Sequence, residues 1–337
     1  MFRQDRTNPS TAISNWRGRH DTPKAWPSTA VSTWLNGGLF GGPTGAGLIM
    51  GGAGGYLDTV DRFSFPSDAR TTLGTGLSSA RHSGAGMSNS GVAGYAAGGG
   101  TTGNTPQTTV DKFAYADDAR STLGTGLADT RTNQPFGFSN SGTAGYIGGG
   151  WSSTGSAAID KVDKFAFSND ARSTLSDTLV AAVSYIAGMA NSGTAGYATG
   201  GLASANLSRV EKLPFSTDTF STLGTGLATA VRLPSAMANS GTAGYVGGGY
   251  ASAMIDDVDK FAFSDDSRST LGTGLSNNNQ AGVGMANTGV AGYFAGGVGL
   301  GSAIDKYAFA DDSRSSTTTL SGSRSYMSAA ANEGALA

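Results

Sequence analysis

The sequence predicts an all-β fold, a six-bladed β-propeller closed on itself, and three observations predict it. A strand-length motif, Ala-Gly-Tyr-x-x-Gly-Gly, recurs at Tyr95, Tyr146, Tyr197, Tyr245 and Tyr293, and an earlier copy carries Leu48 in the tyrosine slot. The steps between these six positions are 47, 51, 51, 48 and 48 residues, a period that belongs to repeat architectures. Each copy holds four short motifs and no capped run of 3.6-residue periodicity, so a four-stranded blade with little helix is the expected unit.

The first strand of the blade is short and rich in small residues, and contains Met87, Met189, Met237 or Met285. The second ends in the glycine pair, which fits a place where backbone passes close to backbone and a Cβ would clash. The third is Val110-Asp111-Lys112-Phe113 and its counterparts, from Val60-Asp61-Arg62-Phe63 to Ile304-Asp305-Lys306-Tyr307. Its apolar residues fall on both parities, as in a strand with neighbours on both faces. The fourth is Ser-Thr-Leu-Gly-Thr-Gly-Leu, around Leu73, Leu123, Leu223 and Leu271, with looser copies at Leu175 and Leu320. The first copy lacks its Met-containing strand, and Ser323-Arg324-Ser325-Tyr326-Met327-Ser328 near the C-terminus is expected to supply it, with residues 324–331 important to stability. The domain plan is an N-terminal arm over 1–45, the propeller over 46–332 and a tail over 333–337.

An apolar strand ending in a double glycine, followed by an aromatic-bearing strand, resembles the kelch repeat. The resemblance covers about residues 46–332. It departs where kelch repeats carry an outer-strand Trp, because here the Leu of Thr-Leu-Gly-Thr-Gly-Leu stands in that place.

Composition narrows function. Net charge is −2 with 14% charged residues, so there is no basic excess for nucleic acid. Cysteine is absent and the histidines are His20 and His82 alone, which removes thiolate sites and leaves no histidine-rich metal site. No metal and no cofactor is expected. The copper site of galactose oxidase, a kelch enzyme, needs a cysteine that this chain lacks. The start Met1-Phe2-Arg3-Gln4-Asp5-Arg6 has no apolar h-region, and no run of 18 apolar residues occurs. Neither a secretory leader nor a membrane insertion is therefore expected.

The repeated acidic–basic pairs, Asp61-Arg62 and its five counterparts together with Asp68/Arg70, Asp118/Arg120, Asp170/Arg172, Asp266/Arg268 and Asp312/Arg314, recur with the blade. An active site would be one asymmetric constellation, so they are read as structural: Asp caps its own turn and Lys or Arg bridges blades. Adjacent aspartates leave calcium as an open alternative. No nucleophilic triad is visible, and the chain is not expected to be an enzyme.

Function is sought where copies differ. The loops after the double glycines vary most, and Tyr56, Trp151 and Tyr250 within them are candidates for a ligand-binding rim, suited to sugar stacking or a protein partner. The stretch Gln134-Pro135-Phe136-Gly137-Phe138 reads as the most apolar connector ahead of a first strand. The arm holds Trp16, Trp26 and Trp34, three of the four tryptophans. It carries five basic residues against two acidic ones, a net of +3 that leaves −5 for the rest. Trp16, Arg17, Arg19, Trp26 and Trp34 are the expected anchor, Trp and Arg being enriched at binding hot spots.

The near-identical copies built on Asn-Ser-Gly-Thr-Ala-Gly-Tyr resemble propeller repeats in tail fibres and other virion appendages of tailed bacteriophages of marine hosts. That resemblance implies a virion structural protein assembled in the host cytoplasm, docked on other virion proteins through residues 1–45. Many copies per particle would present the propeller to a host-surface glycan or protein. A carbohydrate-binding lectin and a bacterial surface or scaffold propeller are the alternatives.

Overall fold

The computed structural model describes residues 45–331, a six-bladed β-propeller of six four-stranded antiparallel sheets. The anchor residues Trp16, Arg17, Arg19, Trp26 and Trp34 and the tail 333–337 lie outside the described residues. Blade 2 shows the unit: Ala85–Asn89, Ala93–Ala97, Val110–Ala114 and Arg120–Thr122, each paired with the next. Blades 3 to 6 repeat it, starting at Phe136, Ala187, Ser235 and Val283. The one helical turn among the described residues is a 3-10 turn, Thr102–Asn104, and no helix there is long and apolar enough to cross a membrane.

Blade 1 is assembled from both ends of the described chain. Ser328–Ala331 pairs antiparallel with Ala46–Gly52, Gly47 facing Ala331 and Met50 facing Ser328. The paired strand thus lies at the far end of the 324–331 stretch, and Ser323–Met327 mostly precedes it. Two other expectations shift. The outer strands are Arg120–Thr122 and its counterparts, so Leu123 follows the strand instead of lying in it. Phe136 and Phe138 are no connector: they sit in the innermost strand of blade 3, buried.

The innermost strands meet so closely around the axis that four of the six carry glycine at the point of contact, with Ala329 and Ala236 there in blades 1 and 5. A Cβ on Gly86 would stand 1.8 Å from the Ala329 carbonyl, one on Gly137 1.9 Å from that of Gly86, and one on Gly284 1.8 Å from that of Ala236. The double glycines answer a second crowding: both members adopt positive φ, and a Cβ on Gly51 would meet the Arg81 carbonyl at 2.5 Å.

The repeated charges join blade to blade. The phenol of Tyr95 donates to Asp170 Oδ1 of the next blade at 2.9 Å, and Lys112 Nζ donates to Oδ2 at 2.7 Å. Lys112 also lies over the Tyr95 ring, which stacks on Phe167 of that next blade. The same clamp recurs with Tyr146, Tyr197, Tyr245 and Tyr293 on Asp218, Asp266, Asp312 and Asp68. Each accepting Asp has a positive φ of 53–57°, which Asp tolerates better than most residues. Between blades 1 and 2 the clamp is rebuilt. Leu48 replaces the tyrosine, Arg62 pairs with Asp118, and the phenol hydrogen-bonded there belongs to Tyr115, 2.9 Å from Ser88 Oγ.

The third-strand carboxylates hold the connectors. Asp111 accepts from the Ser78 N–H and hydroxyl, Thr122 and Arg81; Asp163 accepts from Ala128 N–H, Thr174 and Arg131. Arg131 and Asp163 are both fully buried. At the opposite end of the blades the Asn-Ser-Gly turns lace one another. Asn89 accepts from Gly142 N–H, Asn140 from Gly193, Asn191 from Gly241 and Asn239 from Gly289. The copies resemble one another where their junctions make the same bonds, and blade 1 departs where its junction is rebuilt.

Candidate functional site

Opposite those laced turns lies the face built by the loops after the double glycines and by the connectors that enter each innermost strand. Every connector turns into its strand through a left-handed residue: Ser83, Gln134, Tyr185, Leu233, Ala281 and Tyr326, with φ between 47° and 60°. For residues with a side chain this costs about 1 kcal/mol each. The offset is a closed ring of backbone hydrogen bonds around the axis. Ser83 N–H donates to Tyr326 O at 2.7 Å, Gln134 to Ser83 at 3.1 Å, Tyr185 to Asn133 at 2.7 Å, Leu233 to Tyr185 at 2.9 Å, Ala281 to Leu233 at 3.0 Å and Tyr326 to Ala281 at 2.7 Å. Blade 3 contributes two left-handed residues, Asn133 and Gln134.

The ring backbone is regular and its side chains are not. Tyr326 comes from blade 1 and Tyr185 from blade 4, opposite each other across the axis, and both are half-buried. Burial raises both phenol pKa values above the ordinary one, and the Arg232 guanidinium acts against that on each. The Tyr326 phenol also responds to that of Tyr185. Arg232 lies over Tyr250, its Cζ 4.4 Å from the ring centre, and its side-chain partner is Asn206 Oδ1, at 3.5 Å. Asn206 in turn donates to the carbonyls of Tyr250 and Ala251, fixing that loop. Among the described residues no carboxylate lies within ion-pair distance of Arg232. On the other side of Tyr326 stands His82, 6.1 Å between ring centres, with Tyr56 4.8 Å beyond it. Burial lowers the His82 pKa, so near neutral pH the imidazole is uncharged and Arg232 is the cation of this cluster.

Below the ring the axis holds a cavity of about 60 Å³, lined by Gly86, Gln134, Gly137, Gly188 and Gly284 among others. A dry cavity that takes up benzene measures about 150 Å³, so this one is too small for an organic ring. Any ligand larger than that sits on the mouth. Gln134 is 7% exposed, and its Oε1 has no hydrogen-bond partner.

Of the three expected rim residues, Tyr56 contacts His82, which faces Tyr326, and Tyr250 lies under Arg232. Trp151 is half-buried in a two-residue ribbon paired with Ala158 and bridged to Thr132. The sequence reading missed Tyr185, Tyr326, Arg232 and Gln134 as site residues. Their one common signal is position: each lies in the connector just before an innermost strand, where the copies cease to resemble one another. No protein-family signature matches this chain, and no curated protein compared with it matches either. Among the described residues no group of three or more His, Asp or Glu could hold a metal ion. The recurring aspartates that left calcium open are instead bonded to Tyr, Lys, Arg, Thr and backbone N–H groups.

Proposed function

We propose that this chain is a particle-borne attachment protein, a kelch-type propeller of the kind carried by virion appendages of tailed bacteriophages. Its arm, residues 1–45, docks on other virion proteins through Trp16, Arg17, Arg19, Trp26 and Trp34, and the propeller meets the host surface. The kelch label is supported by the phase of the blade: the double glycine ends the second strand and the aromatic residue lies in the third. One observation carries the functional reading, the contrast between the two faces. The Asn-Ser-Gly turns are near-copies of one another from blade 2 to blade 6, and four of their asparagines accept blade-to-blade bonds. The mouth face displays residues that differ from blade to blade, with two tyrosines and an arginine that has no acidic partner among the described residues. A rigid ring with one face committed to itself and one face individualised suits binding better than turnover.

The test is incorporation. A chain lacking residues 1–45 is produced during particle assembly and its presence in purified particles is measured beside the full chain. The reading expects the propeller to fold, with an unchanged melting temperature, and to be absent from particles. Normal incorporation of the truncated chain refutes the anchor, and host adsorption unaffected by loss of the whole protein refutes the attachment role.

A further inference from the structure

We propose that the mouth formed by Tyr185, Tyr326, Arg232 and Gln134 is a binding site for a carboxylated saccharide, a uronic or sialic acid residue of a surface glycan. This rests on the attachment reading above and names the ligand that the face would take.

Each part of such a sugar has a counterpart. A carboxylate needs a guanidinium that is held in place and not already neutralised. Arg232 is held by the Tyr250 ring beneath it and by Asn206 beside it, and its charge is not cancelled by a described acid. A pyranose ring offers C–H faces that pack on aromatic surface. Tyr185 and Tyr326 supply that surface from opposite blades, seated on backbone fixed by the hydrogen-bonded ring. Hydroxyl or N-acyl groups need acceptors that are short of donors. Gln134 Oε1 is almost fully buried and has no partner; an unmet buried acceptor costs about 1–3 kcal/mol, which a sugar donor would relieve once the side chain turns toward the opening. The cavity below is too small to admit the sugar, so the residue lies across the opening. That placement suits a terminal or side-branch sugar on a longer chain.

A neutral glycan leaves Arg232 unused, whereas a carboxylated sugar engages the guanidinium and the tyrosine faces together. Among the described residues the neighbouring charges are already engaged or absent. His82 is neutral near pH 7, and the aspartates of the clamps are bonded to Tyr and Lys between blades.

The experiment is calorimetric titration of the purified full-length chain. The probes are tri-galacturonate, its methyl ester and 3′-sialyllactose beside lactose. Binding of tri-galacturonate but not its ester assigns a uronate. Binding of sialyllactose but not lactose assigns a sialic acid. Arg232→Gln should weaken the preferred probe at least tenfold, the loss expected for one charge-assisted pair, and Tyr326→Ala should weaken it with the acid-over-neutral preference retained. Both variants must melt with the parent; if Tyr326→Ala does not, Tyr185→Ala replaces it. Equal binding of acidic and neutral probes, wild-type binding by Arg232→Gln, or no binding at millimolar probe overturns the inference. If no probe binds while the particle still adsorbs to its host through this protein, the saccharide inference fails and the attachment reading stands.

Discussion

Gly86→Ala should be among the most damaging single-methyl changes this chain can suffer. The added Cβ would sit 1.8 Å from the carbonyl oxygen of Ala329, with the carbonyl carbon 2.7 Å away. Real contacts of this kind are more than 3 Å, so the two innermost strands must part by more than 1 Å. The obstacle is backbone, and it belongs to the strand that completes blade 1, so no side-chain rotation relieves it. Overpacking a core typically costs about 1–3 kcal/mol, and the upper end or beyond applies where backbone must move. We expect a loss of about 3 kcal/mol or more, which at about 2–4 °C per kcal/mol lowers the melting temperature by roughly 6–12 °C. Gly74→Ala is the control, since nothing lies within 4 Å of its added Cβ and its φ is ordinary. It should be neutral or stabilising by about 0.4–1 kcal/mol through the unfolded chain. Scanning calorimetry on both full-length variants reads the difference. If Gly86→Ala melts within about 2 °C of Gly74→Ala, the close approach of the innermost strands is not as described.

Three further outcomes are expected. Tyr146→Phe removes the donor to Asp218 Oδ1 while Lys164 still holds Oδ2, so urea denaturation should show a loss of about 1–2 kcal/mol. Arg131→Val should cost about 3 kcal/mol, the low end for breaking a buried ion pair, because Arg172 remains 3.5 Å from Asp163 and blade 5 already places Val231 at the matching position. For acid, burial alone raises the Asp61 carboxyl pKa, but the Ser321 N–H, the Thr72 and Ser321 hydroxyls and the Arg324 charge outweigh it, and the folded value lies below 3.8; Asp111 behaves alike with Ser78, Thr122 and Arg81. A depressed folded value means the unfolded chain takes up the proton first. This stability is therefore present above about pH 4 and lost as pH falls through the folded value, and Asp61→Asn should flatten the pH dependence measured between about pH 4 and 2.

The sequence made the blade legible because five of the six junctions repeat one set of bonds. Tyr95, Lys112 and Asp170 form a unit across two blades, so all three recur at the same spacing, and the reading of repeated charges as structural follows from that recurrence. The closing strand was legible in place but not in register. Tyr326-Met327 looks like the Met-bearing strand of other blades, yet Tyr326 occupies the left-handed ring position. The residue matching Met87 is then Ala330, and nothing local distinguishes the two alignments. The mouth was legible only as the connectors where the copies diverge. Ser83, Gln134, Tyr185, Leu233, Ala281 and Tyr326 share a backbone conformation and a hydrogen-bond role, and both are blind to side-chain identity. Tyr185 and Tyr326 lie 141 positions apart in the chain, and ring closure alone sets them across one opening. Arg232 reads as an ordinary connector residue until the absence of a described carboxylate beside it is seen.

Ring closure underlies both the mouth and the site proposed on it, and amide hydrogen exchange of the full-length chain tests it most directly. Amides of Ser328–Ala331 and of Gly47–Met50 should exchange slowly and together, on the timescale of the paired strands Ala187–Asn191 and Ala195–Thr199 in blade 4. Exchange of Ser328–Ala331 within seconds while blade 4 stays protected would contradict it.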